Sequence, residues 1–100
     1  MPHTTAQTDA AVAEKTALKD LRRIPGIGPR LAQVLLRLGY TAVTTLRDQD
    51  PEDMYQKLMD LEGKHVDRCV LYVFRCAVYF SSAPSHDPEL LKWWNWKDQS

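Results

Sequence analysis

Apolar residues recur at three- and four-residue intervals along most of this chain, the period of helices lying against a core. Ala13, Leu18 and Leu21 mark a first helix over about residues 11–23. Pro25 stops it, because the residue before a proline avoids helical angles. Leu31, Val34, Leu35 and Leu38 mark a second helix, with Pro29 suited to its first position and Gly39 to its close. Val43 and Leu46 face inward from a short turn or helix over 41–47. Asp50-Pro51-Glu52-Asp53 signals a helix start: a capping aspartate, proline at the first position and acids in the first turn. Tyr55, Leu58 and Met59 supply that helix's apolar face, and it ends near Gly63. Asp87-Pro88-Glu89 repeats the start signal ahead of Leu90 to Trp96. Residues 1–10 lack the period and read as a flexible N-terminal tail. Residues 11–98 read as a single helical domain, with the last four residues of the chain frayed.

Residues 66–80 are ambiguous. Their β-branched and aromatic content suits a strand, but the run is too long for one and holds no Gly or Pro. As a helix, it carries Val66, Cys69, Val70, Val73, Ala77 and Phe80 in one stripe. Leu71, Phe74 and Val78 form a second apolar edge, which predicts a central helix covered on more than one side. The fold class is all-α, with about five short helices. The expected core includes Leu21, Ile27, Leu31, Leu35, Leu58, Val70, Val73 and Ala77. A shift of 37 residues lays Gly26 on Gly63 and Gly28 on His65, a weak repeat with one good and one degenerate turn.

Composition narrows the functional classes. One hundred residues make one domain. Thirteen basic and thirteen acidic residues cancel, so bulk charge holds the chain to neither nucleic acid nor membrane. The charge is unevenly placed, however. Residues 15–37 carry six bases and one acid, and residues 48–62 carry six acids and one base. No apolar run reaches the ~20 residues needed to span a bilayer, and the N-terminal residues lack a signal-peptide pattern. Cys69 and Cys76, if on one helix, are separated by ~10.5 Å of rise, beyond the ~7 Å limit for a disulfide. They are read as reduced thiols, and the chain as cytoplasmic, without a membrane partner.

The most informative stretch is Ile24-Pro25-Gly26-Ile27-Gly28-Pro29-Arg30. Two glycines flank one apolar residue just before a helix, whose free N–H groups and positive dipole end attract anions. A phosphate could sit on the amides of Gly26, Ile27, Gly28 and Arg30, with Arg22, Arg23 and Arg30 adding charge. The plainer alternative is a tight turn between helices, with Ile27 plugging the core. That alternative gives no reason for the arginines.

Other constellations are weaker. Arg68, Tyr72, Arg75 and Tyr79 would share one side of a helix, as in single-strand binding sites. The preferred reading packs the tyrosines under the C-terminal tryptophans and pairs the arginines with acids. Trp93, Trp94 and Trp96 either close the core or leave a partner surface for another protein. His65, Cys69 and Cys76 lack the spacing of a metal site, and no cofactor is implied by the residues. No nucleophile with a placed base is present, so an enzyme is not expected.

Leu21, Ile24-Pro25-Gly26-Ile27-Gly28, Ala32, Val34, Leu35 and Gly39 together resemble the helix-hairpin-helix motif of sequence-nonspecific DNA-binding proteins. In that family the hairpin amides bind DNA phosphate, in some members through a monovalent cation held by hairpin carbonyls. Three further stretches resemble the small bacterial pathogenicity-locus family, some of whose members are labelled mitomycin-resistance proteins. They are Asp50 to Tyr55, Gly63 with Asp67 to Arg75, and Trp93-Trp94-Asn95-Trp96-Lys97-Asp98. That resemblance spans roughly residues 18–98. It implies a compact tandem helix-hairpin-helix domain (SAM-domain-like) and a link to DNA damage or drug resistance. Read from the hairpin itself, the leading function is weak, sequence-nonspecific DNA binding through phosphate contacts. The alternative function is a protein–protein interaction module built on the Trp-rich segment, with a purely structural hairpin.

Overall fold

Local sequence rules set most of the element boundaries. The computed structural model of the chain describes residues 2–98, with side chains from Val12 onward. Four α-helices run in the order α1 (Pro2–Leu21), α2 (Pro29–Arg37), α3 (Pro51–Glu62) and α4 (Arg68–Ser82). Three single 3-10 turns accompany them, at Val43–Leu46, Pro88–Leu91 and Trp93–Trp96. The architecture is all-helical, close to the five short helices expected.

Asp50, Asp67 and Asp87 each cap an element by accepting a hydrogen bond from the amide two residues on, at 2.9, 2.9 and 3.0 Å. Three helices or turns therefore start where a short acceptor side chain satisfies an otherwise unpaired amide. The close of α2 is equally local. Tyr40 N–H donates to Leu35 O and Gly39 N–H to Leu36 O, both at 3.0 Å, the paired bonds of a Schellman motif.

Two expectations about the helices change. α1 begins at Pro2 and takes in the residues read as a tail, because nothing between His3 and Asp20 breaks a helix and alanines favour one. It ends at Leu21, two residues short of Arg23, where the bonds Arg23 N–H to Asp20 O and Ile24 N–H to Leu21 O tighten the chain. The repeat offset of 37 does not match the fold either. Gly26 lies inside the first connection (residues 22–28), whereas Gly63 is the C-cap of α3. The second connection (63–67) is two residues shorter.

The centre of the core is α4. Leu71, Phe74, Cys76 and Ala77 are fully buried, with Leu21, Ile24, Leu35, Leu46 and Met54 around them. Burying one such large side chain contributes about 1.5–3 kcal/mol. α3, the Val43–Leu46 turn and the two C-terminal turns pack on α4, and α1 packs on α2. Of the expected core, Leu21, Ile27, Leu35, Leu58, Val73 and Ala77 are buried. Leu31 and Val70 lie half-buried at its edge. The α4 stripe is rotated from the one expected: Leu71 and Phe74, the supposed second edge, lie deepest, while Cys69 is exposed.

The C-terminal turns lie along α4 and are latched to it. Arg75 donates to Trp96 O at 2.8 Å and pairs with Glu52 at 2.6 Å and Asp98 at 2.9 Å. Arg68 also pairs with Asp98. Tyr79 packs on Trp96 at 5.5 Å between ring centres, and Trp96 Nε1 donates to Leu90 O at 2.8 Å. The arginine–tyrosine stripe is thus occupied within the chain: the arginines pair with acids and Tyr79 packs under Trp96, whereas Tyr72 lies against Arg75 and donates to Asp98 instead of packing under a tryptophan.

Candidate nucleic-acid interface

The first connection is built around a tight turn. Ile27 N–H donates to Ile24 O at 3.1 Å across Pro25 and Gly26, and Gly26 has φ +87°. Proline second and a positive-φ glycine third is the type II pattern. Ile24 and Ile27 drop into the core on either side of the turn. This anchors the connection and leaves its backbone at the surface.

The two glycines then part company. A Cβ on Gly26 would lie 3.2 Å from Trp93 Cδ1, so one side of the turn is closed by an indole from the C-terminal segment. Gly26 is required by its own backbone and by that contact. Gly28 is required by neither. Its angles, φ −91° and ψ −172°, suit any residue, and a Cβ built on it meets nothing within 4 Å.

Gly28 is also the N-cap of α2, and it brings no side chain to that task. The amides of Gly26, Gly28, Arg30 and Leu31 find no acceptor among the described residues. Pro29 has no amide to satisfy. The first turn of α2 contains no acid and instead carries Arg30, at the end where the helix dipole disfavours a cation. The carbonyls of Pro25, Gly26 and Ile27 accept no hydrogen bond among the described residues either.

The surrounding charges differ in availability. Arg22 and Arg30 are exposed and form no ion pair among the described residues. Arg23 is held at 2.7 Å by Asp20, whose carboxylate also accepts from Val43 N–H at 2.7 Å. That backbone bond first, and Arg23 second, keep the Asp20 carboxyl below its usual range. Arg23 is therefore a part of the α1 terminus before it is a free charge. Many acids of the 48–62 run are used internally: Asp50 caps α3, Glu52 and Glu62 pair with Arg75 and Arg37, and Asp53 pairs with Lys57.

A cleft of about 500 Å³ separates this site from the second connection. Arg30 and Leu31 line one side, and Lys64, His65, Val66 and Asp67 the other. Lys64 carries no signal in the sequence, whereas Asp67, an aspartate ahead of a helix, is a readable cap. Asp67 occupies the N-terminus of α4 with its own carboxylate, and the bond from Cys69 N–H holds its carboxyl pKa below the ordinary carboxylate range. The same aspartate raises the Cys69 thiol, and burial pushes Cys76 up to about 11, so neither is a ready thiolate.

The tryptophans do not form one surface. Trp93 is half-buried over Gly26, Trp96 is half-buried on Tyr79, and Trp94 is exposed. No helix among the described residues is long and apolar enough to cross a membrane.

The pathogenicity locus family model matches residues 14–100 of the chain. The chain belongs to that family. It is also similar to the mitomycin resistance protein McrB of Streptomyces lavendulae, with 29% identity over 77 residues, covering 77% of this chain and 70% of that protein. No solved structure matches it. Membership spans α2, α3, α4, both connections and the Trp-rich segment. The hairpin and its tryptophan neighbour thus lie within the matched region.

Proposed function

We propose that this pathogenicity locus protein binds DNA weakly and without sequence preference, by holding a backbone phosphate on the first hairpin. The single observation that carries this reading is Gly28. Neither the fold's backbone nor its packing asks for glycine there, yet the position lies among four unpaired amides and beside Arg30. A bare N-cap opens the amides to an external oxygen and lets a bulky phosphate approach the backbone. Arg22 and Arg30 add free charge, and Arg23 adds it to the extent that Asp20 releases it. Contacts of this kind position a nucleic acid and carry no base information. A monovalent cation on the hairpin carbonyls and a link to DNA damage or drug resistance, suggested by the name of the Streptomyces relative, belong to the same proposal. The role is binding, not catalysis.

The test is a titration of labelled single-stranded, duplex and branched DNA at about 50 and about 200 mM salt. Two to four phosphate contacts on a duplex should weaken binding about 10- to 150-fold over that range. Gly28→Asp, which offers α2 its own carboxylate cap, should abolish the binding while the helix content stays the same. Salt-insensitive binding, or an unchanged Gly28→Asp variant, would return the hairpin to a structural turn and favour the protein-interaction alternative.

A further inference from the structure

Trp94 is the exposed large aromatic side chain among the described residues, 49% accessible. It stands edge-on to Trp93, 5.8 Å between ring centres at 86°, and Trp93 in turn lies against Gly26. The exposed indole is therefore one ring removed from the hairpin that offers the open amides. Its Nε1 has no partner among the described residues, whereas that of Trp96 donates to Leu90 O. Beyond that edge contact, nothing among the described residues engages the Trp94 indole.

We infer that Trp94 is a stacking platform for an unpaired nucleobase of the same strand whose phosphate sits on the first hairpin. This rests on the phosphate reading and narrows it to a substrate class: DNA with unpaired bases, such as a single strand, a frayed end or a junction. Bases inside a duplex already have both faces stacked, so only an unpaired base can offer one to an indole. Stacking tolerates any base, which agrees with amide contacts that read no sequence. A protein partner fits less well. The other exposed large apolar residues, Val12 and Leu61, lie on α1 and at the end of α3. One half-exposed indole supplies far less than the ~800 Å² per partner of a standard protein interface.

The experiment compares the full chain with Trp94→Ala, Trp94→Phe and Gly28→Asp. The probes are a labelled oligothymidylate and a labelled blunt duplex of equal length, at about 50 mM salt. Trp94→Ala should weaken the oligothymidylate about tenfold and leave the duplex affinity where it was. Trp94→Phe should restore most of the loss, and both variants should melt as the parent does. Equal weakening of both probes by Trp94→Ala, or of neither, would overturn the inference. If Gly28→Asp still abolishes binding in that case, the phosphate reading stands without Trp94. If Gly28→Asp also has no effect, or if neither probe binds the parent chain, both readings fail and the indole is left to a protein partner.

Discussion

The two connections of this protein do the same topological job with opposite chemistry. Each joins two helices and ends at a helix N-terminus on one side of a shared cleft. At the second, Asp67 turns its carboxylate onto the α4 amides, and the site is complete within the chain. At the first, Gly28 contributes no side chain, the α2 amides stay open, and Arg30 sits where the dipole disfavours it. A fold optimised only for stability would cap both. The uncapped first connection, with a cation in the first turn of its helix, is the departure from local rules on which the phosphate proposal rests.

Swapping the caps breaks this comparison most directly. Gly28→Asp should abolish the weak DNA binding, since each charge-assisted hydrogen bond from the α2 amides to phosphate is worth about 1.5–3 kcal/mol. It should also raise the melting temperature slightly, because aspartate is a better N-cap than glycine by a few tenths of a kcal/mol. Opposite signs in a binding titration and a thermal melt distinguish an open ligand site from a poorly made turn. Gly26→Ala should show the reverse emphasis. With φ at +87° and Trp93 at 3.2 Å, it should cost about 1–2 kcal/mol of stability, about 4–16 °C in melting temperature for a chain this size. Denaturant melts would read this, and an unaffected melt would mean that neither the left-handed turn nor the Trp93 contact constrains position 26.

The converse change at the second connection sharpens the contrast. Asp67→Ala removes the α4 cap and should cost about 1 kcal/mol. It also frees the Cys69 amide from its acceptor and removes an acid from the cleft that Lys64 lines, and should tighten duplex binding at low salt, read by anisotropy. Unaltered affinity would place the second connection out of the strand's reach.

The smallest effect concerns the C-terminal segment, which sets Trp93 against the first hairpin. Asp98 is held at about 2, first by its hydrogen bond from Arg68 and then by Arg75, against an ordinary 3.8. A lowered carboxyl contributes stability above its unfolded value. That contribution fades as pH falls from about 4 through about 2. Tryptophan fluorescence should follow release of the C-terminal turns over that window, and Asp98→Asn should remove the acid step.

Much of this molecule was readable from residues three or four apart. Asp50, Pro29, Gly39 and Asp87 mark element ends because capping and proline geometry act over a single turn of chain. Gly28 and Arg30 were legible as a candidate site for the same reason. The structure added a distinction the sequence could not make: Gly26 is held by a ring 67 residues away, while Gly28 is free. Arg23 looked equivalent to Arg22 until Asp20 was seen to hold it together with Val43.

The sequence by itself determined the positions of α2 and α3 and the hairpin with its surplus of arginine, because each follows from short-range sterics, caps and periodicity, and it favoured a helix over a strand for α4 by length. Only the tertiary structure decided which face of α4 lies deepest. That helix is apolar on two sides, and the choice falls to the elements packing on it: α3, the Val43–Leu46 turn and the C-terminal turns. The same packing drew Arg68 and Arg75 into the Asp98 latch, set Trp93 on the hairpin and left Trp94 in solvent. Contacts between residues this far apart in the chain depend on where whole elements come to rest, and local sequence carries no record of that.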